Sequence, residues 1–352
     1  MPVSIAVVGG AGLIGRRHVE HCLAEDDVEL CCIVDPTTSG VAFAREVNVP
    51  LFETLDELIS AKTAGQVNLD GVVLATPNHT HVPLAIQSLA AGIPTLVEKP
   101  LSTDIASGMK LVESERSSRA RILNPYVCAM KDLLASGSIG DIVAVQGQWT
   151  ALKPLSYFQH PTEWRQDSST GGVILINLVH DIDLLRHLIG NVARVYCEVG
   201  KKTRGFQVEE TGAVTLRFAS GVVGTFVFSD ATASAGNFEA ATGENPLIPQ
   251  SSNGPPVYTV FGTEGSFSFP DLKLHRYASR SGSWTDRLDV DASPSIDSTL
   301  PFTRQLRHFA RLIRGEEEPN CSAQDALLTI HTLEAIARSA RTGLPVMVTE
   351  QL

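Results

Sequence analysis

The sequence lacks the features that mark a membrane protein, a nucleic-acid binder or a secreted disulfide-rich fold. No apolar run approaches the roughly 20 residues that span a bilayer, and the short run 5–8 near the start is followed by glycines. No block of basic residues offsets the formal net charge of −11, which disfavours a phosphate-backbone binder. The six cysteines show no CxxC spacing, so neither a zinc knuckle nor a disulfide framework is indicated. We therefore expect a cytoplasmic protein that binds neither membranes nor nucleic acids.

The composition is that of a chain with a substantial core. It has 352 residues, of which 43% are hydrophobic and 19% charged, so it is not expected to be disordered. This length suits two domains of ordinary size. We predict domains at residues 1–123 and 124–352.

A glycine-rich turn links the first predicted strand to the first predicted helix. The run Ser4–Val8 is continuously apolar, as expected of a parallel strand buried on both faces. The turn has the pattern G-x-G-x-x-G, formed by Gly10, Gly12 and Gly15. We expect Gly10 to make the tight turn, Gly12 to let the backbone approach a pyrophosphate, and Gly15 to let helix and strand pack closely.

The residues after this turn extend the pattern to a dinucleotide site. The helix begins at Leu13 and Ile14, where free N–H groups and the positive dipole end suit phosphates. The second strand ends in Asp35, twenty residues past the last glycine, where a carboxylate can accept hydrogen bonds from the adenosine ribose. Asp35 favours NAD over NADP because it would repel a 2′-phosphate. Arg16 and Arg17 lie nearby and leave NADP possible.

Two later strands of the predicted sheet end in polar residues. Asp70–Thr76 is followed by Pro77-Asn78-His79-Thr80-His81, and the run 93–97 is followed by Glu98-Lys99-Pro100. Both strand ends should lie beside the cofactor crevice. A partly desolvated lysine there can serve as a general acid or base, although a surface lysine in a turn is the alternative. The two histidines have no acid or cysteine cluster beside them, so we expect no metal. We expect His81 instead to open the next helix near the cofactor.

These motifs, in this order, resemble those of the glucose–fructose oxidoreductase / inositol dehydrogenase / MocA family. The matching residues are the G-x-G-x-x-G turn, Thr-Pro-Asn-x-x-His at 76–81 and Glu-Lys-Pro at 98–100. The resemblance implies an α/β Rossmann domain with a doubly wound parallel sheet, then an α+β domain with a large, open, mostly antiparallel sheet. It implies that homodimers or homotetramers form through that second sheet and that C-terminal helices pack back on the first domain. It also implies that Lys99 takes part in catalysis.

The chain departs from the family pattern after the Glu-Lys-Pro helix. Roughly seven residues of a strand and a His/Arg-rich turn are absent between Leu123 and Asn124. Either the strand and loop are shortened, or that loop is missing from the sequence as given. The contribution of that turn to cofactor or substrate binding is therefore left open.

The second domain is predicted to contain at least five half-exposed antiparallel strands, because apolar and polar residues alternate along them. Residues 237–256 are rich in Gly, Pro, Ser and Asn and are predicted to form a loop. The strand candidates are Ile142–Trp149, Ala193–Val199, Ala213–Phe218, Val222–Phe228, and the pair Tyr258–Phe261 and Ser266–Phe269.

An amphipathic helix is predicted between the first two of these strands. One face of this helix is apolar, and the other face carries Asn177, His180 and Asp183. A lone helical histidine is usually structural, but the resemblance places the family's catalytic histidine at His180. Asp183 is expected to be a structural hydrogen-bonding carboxylate. Many family members carry an aspartate where this chain has Ile176, so we expect Asn177 to bind a substrate hydroxyl instead.

The resulting prediction is an NAD(P)-dependent dehydrogenase that acts on a secondary alcohol of a sugar, cyclitol or related polyol. Two alternatives stay open: a cofactor-recycling enzyme, such as an NAD-dependent glycosidase-like one, and a non-catalytic nucleotide-sensing regulator. The presence of both Lys99 and His180 argues against the sensor. The predicted site has catalytic Lys99 and His180, substrate-binding Asn177, Trp164 and Arg165, and cofactor-binding Gly10, Gly12, Leu13, Ile14, Gly15, Asp35, Thr76, Pro77, Asn78, His81, Glu98 and Lys99.

Overall fold

The structure is a computed structural model. It divides into two compact units, one formed by 1–124 with 299–327 and the other by 125–298 with 328–351. The predicted domain limits at 123/124 stay a prediction. Pro100 and the segment that precedes Asn124 lie outside the described residues. Those residues are 2–99, 101, 124–168, 170–245, 247–251, 253–279, 281–297, 299–318 and 323–348.

In the described part of the first unit, five parallel strands form one sheet. Every residue of its first strand is buried, because neighbouring strands and helices on both faces cover it. The strand order is β3-β2-β1-β4-β5, which confirms the predicted Rossmann sheet. The strands are β1 (Val3–Val8), β2 (Val28–Val34), β3 (Leu51–Phe52), β4 (Gly71–Leu74) and β5 (Thr95–Val97). The helices between them are α1 (Leu13–Ala24), α2 (Thr38–Glu46), α3 (Leu55–Thr63) and α4 (His81–Ala90), with a 3₁₀ turn at Asn78–Thr80.

The second unit is built on a nine-stranded sheet. Its order is β13-β12-β11-β10-β6-β9-β8-β7-β14, and all neighbours are antiparallel except β6 and β9. The predicted large, mostly antiparallel sheet is therefore confirmed. The strands are β6 (Ile142–Thr150), β7 (Val192–Val199), β8 (Thr211–Phe218), β9 (Val223–Ser229), β10 (Tyr258–Gly262), β11 (Gly265–Phe269), β12 (Leu274–Arg276), β13 (Asp289–Asp291) and β14 (Val346–Met347). The remaining helices, in chain order, are α5 (Pro125–Ala135), α6 (Val179–Ile189), α7 (Phe238–Thr242), α8 (Pro301–Ile313) and α9 (Ala323–Thr342).

Alternation along the strands of this sheet separates a core face from an outer face. In β8, Val214, Leu216 and Phe218 point inward and are buried, while the residues between them are exposed. The inward side chains form one cluster with α6, which contributes Ile182 and Leu185. The helix that carries His180 thus has its apolar stripe fixed by the sheet.

Helix α8 belongs to the first unit although it lies late in the chain. Leu306 and Phe309 share a buried cluster with Ile5 and Val7 of β1. On the outer side, Arg307 Nε donates to a carboxylate oxygen of α1's C-cap residue at 2.7 Å. The apolar contact accounts for most of this packing, because exposed ion pairs contribute little.

Two local features differ from the sequence prediction. The predicted helix around His180 begins with a π-helical turn, Ile174–Leu178, before α6. The predicted loop after residue 237 contains α7, capped by Asn237, whose side chain accepts a hydrogen bond from the Ala240 N–H at 2.9 Å. No helix in the described part of the chain combines the length and apolarity that a membrane crossing requires.

Candidate functional site

The glycine-rich turn closes tightly at the end of β1. Gly9, with a φ of +80°, takes a left-handed conformation in this turn, immediately before Gly10, which was predicted to make the tight turn. A Cβ on Gly10 would instead stand 2.7 Å from the Ile33 side chain, and one on Gly15 would stand 2.1 Å from the Gly9 carbonyl oxygen. The start of α1 therefore approaches the backbone of the turn closely at Gly15.

The start of α1 is open to an anion. Gly12 is its N-cap and offers no side-chain cap, and the first turn contains no acidic residue. The first N–H groups of a helix lack partners within the helix, and Leu13 and Ile14 stand in that first turn. Uncapped N–H groups beside a turn without side chains fit a pyrophosphate.

Asp35 joins the glycine-rich turn to the turn after β2. It is 5% exposed, and its carboxylate accepts hydrogen bonds from the N–H groups of Ala11 and Thr37, both at 3.0 Å. The Thr37 hydroxyl donates to it as well. A carboxylate offers about four lone-pair sites, so one remains for a further donor. Hydrogen bonding of Asp35 to a ribose stays a prediction.

The turn after β4 lies against the glycine-rich turn. A Cβ on Gly9 would meet the Ala75 oxygen at 2.7 Å and the Thr76 methyl at 3.0 Å. Within this turn the Thr80 hydroxyl donates to the Thr76 hydroxyl at 2.7 Å, and buried His81 pairs through Nε2 with the Thr76 carbonyl at 2.8 Å. His81 therefore opens α4 as predicted and braces the turn. The side chains of the adjacent Pro77 and Asn78 are exposed.

The turn after β5 places Lys99 at an exposed position next to Glu98, whose carboxylate is hydrogen-bonded. Glu98 Oε1 lies 2.7 Å from Nε2 of buried His18, and Glu98 Oε2 accepts the Lys99 N–H at 3.2 Å. Burial alone would raise the pKa of Glu98, but the hydrogen bond and charge of His18, with Lys99 beside it, outweigh burial and lower it.

The three turns share one edge of the first sheet. β1 pairs with β4 and β4 with β5, with Val8 opposite Leu74 and Leu74 opposite Val97. The carboxyl ends of parallel strands form the ligand crevice of such sheets. The sheet thus brings together the glycine-rich turn, Thr76 and Lys99.

In the second unit, Asn177 and His180 are both half-buried. Asn177 lies in the π-helical turn and His180 in the first turn of α6. Asp183 accepts a hydrogen bond from the Thr329 hydroxyl at 2.7 Å, in agreement with a structural role. Asn177 Oδ1 accepts from Lys153 Nζ at 2.5 Å.

Trp164 and Arg165 occupy a 3₁₀ turn, Glu163–Gln166, of the second unit. Trp164 is 43% exposed. Arg165 is half-buried, and its guanidinium carbon lies 3.7 Å from the centre of the Tyr157 ring. Its Nη1 donates to the Tyr157 carbonyl at 2.9 Å. The arginine is therefore held as a planar cation over an aromatic face.

Two family models match nearly the whole chain. One describes an oxidoreductase family's NAD-binding Rossmann fold and covers residues 3–126, and the other describes its C-terminal alpha/beta domain and covers residues 131–348. The chain belongs to the Gfo/Idh/MocA oxidoreductase family. The predicted family and the NAD-binding Rossmann domain are thereby confirmed, and the protein is an NAD(P)-dependent oxidoreductase.

Members of the Gfo/Idh/MocA family with related sequences and folds act on sugars and cyclitols by name. The 1,5-anhydro-D-fructose reductase of Ensifer adhaerens is 24% identical over 95% of both chains. The scyllo-inositol 2-dehydrogenase (NAD(+)) of Bacillus subtilis (strain 168) is 22% identical, over 96% of this chain and 94% of the relative. A levoglucosan dehydrogenase in complex with NADH superimposes with a TM-score of 0.77 at 18% identity, covering 99% of this chain and 100% of the other. These names favour net oxidoreduction over cofactor recycling or sensing.

Two residues of this Gfo/Idh/MocA protein escaped the sequence prediction. His18 is recognisable only as a polar member of the buried stripe of α1, beside Val19 and Cys22. Lys153 is a lysine just past the end of a strand, a signal shared with many surface lysines. Among the described residues no group of three His, Cys, Asp or Glu side chains is arranged to hold a metal ion; that the enzyme needs no metal stays a prediction.

Proposed function

We propose that this Gfo/Idh/MocA oxidoreductase interconverts a secondary alcohol and a ketone on a sugar, cyclitol or related polyol. The observation that carries the proposal is the shared edge of the first sheet, where the open start of α1 follows β1 and Lys99 follows β5, with β4 between these two strands. The names of the sugar and cyclitol relatives support the substrate class.

The cofactor would be held by the turns described above. The N–H groups of Leu13 and Ile14 would bind the phosphates, and the turns at Thr76–Asn78 and Glu98–Lys99 would lie beside the nicotinamide. When bound, NAD supplies a hydride acceptor at the nicotinamide ring. Asp35 puts a negative charge beside the ribose, so we propose NAD rather than NADP.

Side chains of the protein would orient the alcohol, polarise its oxygen and accept its proton. The carbinol C–H bond breaks with its electron pair leaving as hydride, while the O–H proton passes to His180 and a carbonyl forms. Lys99 polarises the oxygen that becomes the carbonyl. Asn177, Trp164 and Arg165 orient the substrate, which fixes the reacting atoms in a productive geometry.

A homo-oligomer is part of the proposal. The outer face of the nine-stranded sheet exposes apolar side chains on adjacent strands, including Val223 at 44% and Val227 at 47% exposure on β9. Tyr196 and Phe261 extend this face across β7 and β10. An apolar face of this kind supports a dimer or tetramer contact. We also propose a cytoplasmic location, which cell fractionation would test.

Nicotinamide absorbance tests the proposed reaction directly. The purified protein would be supplied with NAD, then NADP, and with a panel of sugars, inositols and sugar acids; reduction of NAD by at least one of them is expected. Lys99→Ala and His180→Ala should each lower kcat by about 100-fold or more, the range of general acid–base catalysis, while NAD affinity measured by calorimetry stays within about threefold.

Lys201→Ala and His275→Ala are the matched controls, since both residues lie outside the proposed site. Turnover that survives in both the Lys99 and the His180 variant would contradict the assigned roles. Cofactor binding without reduction by any substrate would contradict the proposed reaction.

A further inference from the structure

Lys153 is a buried amine beside the proposed substrate face. It follows β6 by three residues, and its side chain is 11% exposed. Its Nζ donates to Asn177 at 2.5 Å and lies 3.6 Å from Asp230 Oδ2. Asn177 stands three residues before His180, so the amine borders the residues proposed to meet the alcohol.

A second cation approaches the same aromatic ring as this amine. Lys153 Nζ lies 4.6 Å from the centre of the Tyr157 ring, and the Arg165 guanidinium carbon lies 3.7 Å from it. The pKa of Lys153 is lowered to about 8, chiefly by burial. The charges of Arg165 and Arg204 contribute to this shift, whereas the charge of Asp230 opposes it. Two cations thus lie against one aromatic ring at a partly desolvated position, an arrangement that favours an anionic ligand.

Arg165 has no acid of its own. Among the described residues no carboxylate oxygen lies within 4.0 Å of its guanidinium, and its buried Nε makes no hydrogen bond. Within the described part of the chain, the guanidinium makes one hydrogen bond, to the Tyr157 carbonyl. A buried guanidinium nitrogen without a partner carries a desolvation cost that an incoming acceptor would remove.

The neighbouring acids are already committed to Arg204. Asp230 forms a short ion pair with Arg204 Nη2 and is only 2% exposed. Glu210 accepts from the N–H groups of Thr203 and Arg204, both at 2.8 Å, and lies 3.6 Å from Arg204 Nε. Asp230 and Glu210 are therefore both engaged by Arg204.

A further acid of this region is Glu209, whose Oε1 accepts the Ile174 N–H at the start of the π-helical turn at 2.8 Å. Burial, with a smaller contribution from Asp230, raises the pKa of Glu209. Its carboxylate is more than 4.0 Å from the nitrogens of Lys153 and Arg165. It does not compensate their charge by contact.

We infer that Lys153 and Arg165 together bind a carboxylate of the substrate, so that the alcohol oxidised under the proposed function belongs to a hydroxy acid such as a sugar acid. Ammonium and guanidinium donors form the stronger, charge-assisted hydrogen bonds with a carboxylate. Asn177, held by Lys153, would then contact a hydroxyl near the carboxylate.

Matched substrate pairs test this inference, which rests on the proposed function. Initial rates would be measured with D-glucuronate against D-glucose, D-gluconate against D-glucitol, and D-glucose 6-phosphate for the phosphate alternative. We expect kcat/KM for an acid to exceed that for its neutral partner by about 10-fold or more, the value of one charge-assisted contact. Lys153→Met and Arg165→Gln should each lower this acid-to-neutral ratio by about 10-fold or more, mainly through KM.

Two further variants separate charge from folding. Lys153→Arg keeps the cation and should keep most of the ratio, while exposed Lys201→Met should leave it unchanged. Equal ratios in the wild type and the Lys153→Met variant, or a preference for the phosphate ester, would overturn the inference.

Calorimetric titration of the same acids into the NAD-loaded protein keeps the two proposals distinct. Oxidation of neutral polyols without acid preference would overturn the inference and leave the proposed function standing. Acid binding that Lys153→Met abolishes, without oxidation of any substrate, would support the inference and contradict the proposed reaction. Absence of both acid binding and acid oxidation would overturn the inference.

Discussion

Nε2 of His18 lies 2.7 Å from Oε1 of Glu98, and this buried contact ties the helix after the glycine-rich turn to the turn that carries Lys99. The other carboxylate oxygen accepts the Lys99 N–H, so a single acid links α1 to the proposed catalytic lysine. His18 is itself fixed by edge-on contact with Phe302, with ring centres 5.2 Å apart.

Removing His18 should therefore cost stability through Glu98. We expect His18→Ala and Glu98→Gln each to lower the free energy of unfolding by about 1.5–3 kcal/mol, the range for a hydrogen bond to a charged group. A double-mutant cycle by urea unfolding should give a coupling of about 1 kcal/mol or more. His79→Ala, at an exposed position, is the control. Additive effects of the two changes would show that the contact contributes nothing of its own.

The same contact predicts an acid-dependent loss of stability. Because the folded-state pKa of Glu98 is below its ordinary value of 4.5, its stabilising contribution is complete above that value and is lost as the pH falls through the folded pKa. The difference in unfolding free energy between the wild type and Glu98→Gln should shrink between about pH 7 and about pH 3. A difference that stays constant over this interval would rule out this linkage.

Substitution by alanine should have different effects at two glycines of the glycine-rich turn. Gly15→Ala would place a methyl group 2.1 Å from a backbone oxygen and should destabilise the protein by about 1–3 kcal/mol or more. A Cβ on Gly12 would stand 3.3 Å from the Gly9 oxygen and the φ of Gly12 is −66°. Gly12→Ala should keep stability within about 1 kcal/mol but weaken NAD binding by about 10-fold, because the methyl obstructs the phosphates. Thermal unfolding and calorimetry measure the two effects; equal stability losses would contradict this division.

The proposed acid-binding role of Lys153 has its own pH signature. Because its pKa is about 8, the amine loses its charge as the pH rises through that value, so the acid-to-neutral ratio of kcat/KM should fall. Lys153→Arg should abolish this fall, since a guanidinium stays protonated throughout. Rate profiles for the matched substrates over about pH 6 to pH 10 test this. A ratio independent of pH in the wild type would contradict the role.

The apolar outer face of the second sheet predicts an oligomer that a charge can disrupt. Val227→Lys should shift the protein to a smaller species, because the lysine would be desolvated in the contact. Val41→Lys introduces the same charge at a surface position of α2 and serves as the control. Light scattering after size exclusion gives the masses. A wild-type monomer, or an unchanged mass for Val227→Lys, would contradict the proposed interface.

The sequence alone determined the strands, turns and helices of this protein, because the residue patterns that specify them are local. The unbroken apolar run of β1, the glycines at 10, 12 and 15, and the helical spacing of α1 fix strand, turn and helix within about 25 residues of each other. The same holds for the strand ends at Thr76 and Lys99, which one parallel sheet must bring to one edge. The large second sheet followed from alternation along its strands.

Only the tertiary structure decided which side chains those elements bring together. His18 and Glu98 are 80 residues apart and Lys153 and Asn177 are 24 apart, and neither pair has a spacing that periodicity could reveal. The π-helical turn before α6 likewise carries no residue pattern that distinguishes it from a regular helix. A polar group that is buried away from water needs a hydrogen-bond partner. Which partner is available depends on how distant segments of the chain pack against each other.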